Sequence, residues 1–75
     1  MRIDPKKYDM ERAKAGVGNV EMARAVDMSL GWVSSINTKI RRNYDFLPKT
    51  VSQIAAAIGC EVEDLITDEA GRNAA

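Results

Sequence analysis

Lys39, Arg41 and Arg42 form a short run of cations, placed just after two hydroxyls, Ser34 and Ser35, in this 75-residue chain. Guanidinium and ammonium groups in such a run are suited to the phosphates of a nucleic-acid backbone. Serine hydroxyls can donate to or accept from base edges. The same serines are not equipped for nucleophilic catalysis, because the chain has no histidine to take their proton. Cys60 is the only cysteine. It can close no disulfide within the chain, and a single thiol without imidazole offers almost nothing to zinc. It follows Gly59 directly and reads as a small apolar packing residue. No acid–base pair, phosphate-binding glycine loop or ligand cluster stands out. A chain this short also leaves little room for a deep substrate pocket. The expectation is a protein that is not an enzyme and uses no cofactor or metal.

The formal net charge is zero, but it is not evenly spread. Residues 1–49 hold ten Lys and Arg against six Asp and Glu, a net of +4, and residues 50–75 hold one against five, a net of −4. A chain with this asymmetry can still meet phosphate if its basic part folds onto one face. The acidic end, with Glu61, Glu63, Asp64, Asp68 and Glu69, is expected to solvate the surface and to stay away from phosphate. Apolar residues at 45% and charged residues at 29% are a globular balance. The first seven residues are polar, and no stretch approaches the ~18 apolar residues of a membrane span. A cytoplasmic protein without membrane contact is expected.

Short helices must position these groups. Asp4-Pro5 starts the first, with aspartate as cap and proline at the first helical position, and Gly16 stops it. Asn19 to Val26 fits a second, with Met22, Ala23 and Val26 on one face. Asp27 and Met28 make a tight connection, and Ser29 caps a third helix whose Val33 and Ile36 lie three apart. Ile40 to Leu47 reads as a polar, basic loop carrying Tyr44 and Phe46. Pro48 opens a fourth helix with Val51, Ile54, Ala55 and Ile58 at i, i+3, i+4, i+7 spacing. A last short helix is expected around Val62, Leu65 and Ile66. The fold class is therefore all-α, a compact five-helix domain over residues 1–67, with residues 68–75 as a flexible polar tail.

Residues 19–36 carry the functional expectation. Two helices crossing steeply need a small side chain where they meet, and Ala23 is placed for it. The turn needs a residue tolerant of a left-handed backbone, which Asp27 can supply in place of glycine. Val33 and Ile36 then pin one side of the third helix, leaving its other side free to enter a major groove. Trp32 could touch the DNA backbone or pack against the loop of Tyr44 and Phe46.

This pattern resembles the Cro and phage-repressor (XRE-type) superfamily of lambda-repressor-like helix-turn-helix domains. The resemblance rests on Arg12 and Gly16 in RAKAGVG, on NVEMARAVDMS, on VSSI, and on VSQIAAAIGCEVEDLI, and covers Tyr8 to Ile66. It implies double-stranded DNA as partner and a repressor-like transcriptional regulator. One copy can neutralise only a few phosphates, so a homodimer is expected on energetic grounds, with helices four and five as its interface. The resemblance also implies that Leu30, Gly31, Ser34 and Ser35 face the bases. Asn19, Trp32, Lys39, Arg41 and Arg42 would contact the backbone, and Arg12 would lie beside Asn37. The chain departs from the family at four places. Asn37 stands where glutamate is common, Asp27 replaces the turn glycine, and Glu11 occupies a position usually apolar or small. The third helix begins Leu30-Gly31-Trp32, without the forked side chains that make bidentate base contacts. That last departure, with the zero net charge, keeps open an alternative: a protein-interaction module of the same fold, antitoxin-like or anti-repressor, with a protein partner instead of DNA.

Overall fold

A computed structural model describes residues 1–67. It contains four α-helices, α1 Pro5–Ala15, α2 Asn19–Val26, α3 Leu30–Arg41 and α4 Pro48–Ile58, and then a single 3-10 turn, Val62–Asp64. The architecture is all-α: among the described residues the only extended pairing is an isolated antiparallel bridge between Ile3 and Ile66. The expected tail, residues 68–75, lies outside the described residues. No helix among them is long and apolar enough to cross a membrane.

The helix ends follow local chemistry. Asp4 Oδ1 accepts the Lys6 backbone N–H at 2.9 Å, with Pro5 opening α1. Gly16 ends α1 at φ 68°, a left-handed backbone that side chains disfavour. Ser29 Oγ accepts the Trp32 N–H at 3.1 Å and starts α3. Between α2 and α3, Asp27 takes φ 56°, the conformation expected of the turn. A β-carbon there is strained, more so than at glycine. Asp27→Gly is therefore expected to raise the unfolding free energy by about 0.5–1 kcal/mol, read from denaturant melts, without altering the fold. A loss of stability instead would mean that the aspartate side chain contributes more than its backbone strain costs.

α2 packs against both α3 and α4, and α4 also reaches α1 and the 3-10 turn. Met22 and Ala23 of α2, Val33 and Ile36 of α3, and Val51 and Ile54 of α4 are buried at the centre. The small Ala23 lies on the buried side of α2, as a close helix crossing requires.

In three places the structure departs from the sequence reading. First, α3 does not stop before Ile40 but continues to Arg41. Ile40 is 1% exposed and extends the Val33, Ile36 face by one more turn, so its burial holds the helix through the basic residues. Second, the expected fifth helix is one 3-10 turn. Leu65 stays in the core, while Ile66 is drawn into its bridge with Ile3 and the Leu65 carbonyl accepts the Asp4 N–H at 2.8 Å. Pairing with the start of the chain competes with helix here and wins. Third, the first residues are structural: Ile3 is 1% exposed, the Met1 carbonyl accepts the Phe46 N–H, and the Arg2 carbonyl accepts the Thr67 N–H. They tie the 46–47 loop and the 65–67 segment across one end of the core.

Candidate nucleic-acid interface

A helix with Val33, Ile36 and Ile40 buried must turn the opposite side outward. In α3 that side carries Leu30, Gly31, Ser34, Ser35 and Thr38, all exposed. Together with Lys39, Arg42 and Tyr44, residues 31, 34, 35 and 38 line an open groove of about 570 Å³. No carboxylate lines it. Gly31 and the serines keep its floor low; Lys39 and Arg42 place two positive charges at one end.

Tyr44 sets the position of one of those charges. Phe46 is buried, and the Tyr44 ring meets it edge-on, with centroids 4.9 Å apart and planes at 65°. The Lys39 ammonium sits 4.9 Å from the Tyr44 centroid, in cation–π contact with the ring. Arg42 has no ion pair among the described residues. Arg41 behaves differently from its neighbour: its Nη2 lies 3.4 Å from Asp9 Oδ1, on the side of α1. Both groups are largely exposed, so the pair is weak, yet it aims Arg41 away from the groove. The basic run is thus divided between two directions, because successive residues on a helix are about 100° apart.

Asn19 opens α2 and is exposed. Its Oδ1 accepts from Arg12 Nη2 at 2.8 Å and from Asn37 Nδ2 at 3.3 Å. Just before it, the Gly18 N–H donates to Glu21 Oε1 at 2.9 Å, so the start of α2 also carries a carboxylate. Arg12 stands at the junction of α1, α2 and α3. Its Nε donates to the Val17 carbonyl at 3.1 Å, and its Nη1 to Tyr8 Oη at 3.2 Å and Asn37 Oδ1 at 3.4 Å. Tyr8 itself donates to Asn37 Oδ1 at 2.5 Å, and burial pushes its phenol pKa above the usual value, with the Arg12 charge pulling the other way. The expected meeting of Arg12 and Asn37 is present in this structure.

Trp32 is half-buried and packs against the core, whereas Leu30 and Met28 are 54% and 47% exposed. Thr38 and Tyr44 were absent from the sequence reading of the site. Thr38 could have been found by continuing the helical spacing from Ser34 by four residues; Tyr44 enters through tertiary packing. Sequence reasoning also passed over a second grouping, in which donor atoms of Glu11, Cys60 and Asp64 lie within 4.8 Å of one another. There the Cys60 thiol pKa is raised by burial and by the three nearby acids Glu11, Asp64 and Glu61, which favours the protonated form. Glu11 is paired with Lys14, and Asp64 Oδ2 accepts the Glu61 N–H. No family model, curated protein or solved structure matches this chain.

Proposed function

We propose that this chain is a helix-turn-helix DNA-binding protein, a repressor-type transcriptional regulator that lays α3 in the major groove of a duplex as a homodimer. The observation that carries the proposal is the open outer side of α3. It offers small or hydroxyl-bearing side chains at the centre, Lys39 and Arg42 at one end, and no acid along its lining. An α-helix fits the major groove of B-form DNA only where its outward side chains leave room, and Gly31, Ser34 and Ser35 do. Lys39 and Arg42 then lie where the groove wall brings phosphates, and Asn19 with the start of α2 supplies neutral donors to the same backbone. The resemblance to XRE-type domains agrees with this placement.

Specificity in this reading is modest. Serine reads bases without strong preference, and Leu30 offers only apolar contact, as to a thymine methyl. Few cations are available in one copy, so affinity depends on two copies placed on half-sites about 34–36 Å apart. Titration of a labelled duplex across a range of salt tests the proposal. The logarithm of the affinity should fall linearly with the logarithm of salt concentration, from the release of counterions. Duplex affinity that ignores salt, or no affinity at low salt, overturns it.

A second reading, a protein-interaction module of the same fold, draws on Met28 and Leu30. These two exposed apolar side chains flank the α2–α3 turn and could pack on a protein partner. It predicts no duplex binding in the same titration.

A further inference from the structure

Just past the end of α3, Asn43 takes a backbone that few side chains adopt. It stands at φ 60°, one residue beyond the cap Arg42. This reversal lets the Asn43 N–H donate to the Ile40 carbonyl at 3.1 Å, and the Tyr44 N–H reach back to the Lys39 carbonyl at 3.0 Å. A helix closed in this way brings the second residue past its cap against the residue three positions inside it, where two apolar side chains usually meet. Here the two residues are Tyr44 and Lys39, and the contact is an ammonium 4.9 Å from the ring centroid. The ring is itself set edge-on to buried Phe46, whose N–H donates to the Met1 carbonyl. Tyr44 nevertheless remains half exposed, and it lines the α3 groove beside Lys39 and Arg42.

We propose that Tyr44 is a positioning residue for Lys39, holding its ammonium at the α3 groove ready for a phosphate. The inference rests on the DNA-binding reading above and adds to it a residue that acts on DNA through another. A free lysine chain gives up rotamer freedom when its ammonium settles on a phosphate, which weakens binding. The tyrosine face removes part of that freedom before a duplex arrives. It does so without a countercharge: the ring attracts the ammonium through its quadrupole and leaves the positive charge intact. An ammonium has three N–H donors, so a ring on one side leaves donors for an oxygen on the other. Arg41, two residues on, shows the opposite arrangement, because its restraint is the carboxylate of Asp9. Among the described residues Lys39 has no ion pair.

The test uses Tyr44→Leu and Tyr44→Phe in the full chain, each with and without Lys39→Ala. Leucine keeps an apolar side chain against Phe46 but removes the aromatic face; phenylalanine keeps the face and removes only the hydroxyl. The free protein is read first, by NMR. In the unaltered chain and in Tyr44→Phe the ring current should displace the Lys39 ε-methylene resonances upfield, and Tyr44→Leu should return them to the position of an exposed lysine. Duplex affinity at low salt should fall about 2–10-fold in Tyr44→Leu and stay within about twofold in Tyr44→Phe. Added to Lys39→Ala, Tyr44→Leu should cost less than about twofold more. The salt slope should stay that of the unaltered chain in both tyrosine variants, since neither removes a charge. General loss of structure would weaken both backgrounds alike, so the non-additivity separates positioning from folding. Lys39 resonances that are not displaced in the unaltered chain, or equal losses from Tyr44→Leu with and without Lys39, overturn the inference and leave the DNA-binding reading standing. If the unaltered chain shows no salt-dependent duplex binding, that reading fails first and the inference falls with it, whatever the resonances show.

Discussion

Replacing Lys39 and Arg42 together by alanine is expected to lower duplex affinity by about 10–100-fold at low salt and to flatten the salt dependence by about two units per copy. Both charges line the α3 groove, and among the described residues neither is paired with a carboxylate, so each can displace counterions from a phosphate. The comparison variant is Arg41→Ala. Arg41 is the immediate neighbour and carries the same charge, but it leans toward Asp9 on α1. Its replacement should cost less than about threefold, with a slope change well under one unit. Sequence proximity alone would have all three cations contribute equally, whereas the helical geometry separates them. Equal losses from Arg41→Ala and Arg42→Ala would show that the outer side of α3 is not the contact surface. Circular dichroism of each variant checks that the helices persist, since Arg41 and Arg42 are exposed and Lys39 is only partly buried.

Ile54→Ala is expected to remove about 2–5 kcal/mol of stability. Ile54 is fully buried in the middle of α4, the helix that touches α1, α2 and the 3-10 turn. Truncation there loses transfer free energy and leaves a void bordered by several elements that cannot all close in at once. A chain of this length has a total unfolding free energy of roughly 4–11 kcal/mol, so the variant will sit near the edge of folding. Thermal melting should show its midpoint lowered by about 10–30 °C. Leu47→Ala is the contrast: Leu47 is 72% exposed, and its removal should move stability by less than about 0.5 kcal/mol. A drop smaller than about 1 kcal/mol in Ile54→Ala would contradict the packing described for α4. The loss should also reach DNA binding through α2, which α4 supports from behind, although Ile54 lies far from any phosphate in the proposed complex.

Much of the architecture was legible in the residues themselves, because it depends on short-range chemistry. Asp4-Pro5, Gly16, Ser29, Pro48 and Gly59 each satisfy or stop a helix end by local geometry, and helices begin and end where those residues stand. The left-handed turn at Asp27 and the buried face of α4 follow from backbone sterics and from a 3.6-residue period in the same way. The outward orientation of Leu30, Gly31, Ser34 and Ser35 was readable once Val33 and Ile36 were taken as inward.

Tertiary structure decided whatever depends on residues distant in the chain. The sequence around Val62, Leu65 and Ile66 has helical spacing, and only contact with Ile3 and Asp4 reduces it to one turn with a bridge. Ile40 reads as part of a polar loop until the core receives it and carries α3 on to Arg41. Tyr44 gains its place under Lys39 through Phe46, and Arg41 parts from Arg42 through Asp9 on another helix. A helix end is settled by the few backbone groups it leaves open, which neighbouring residues can fill. The direction of a surface charge and the depth of a groove depend on which segments the core brings alongside, and no local pattern encodes that.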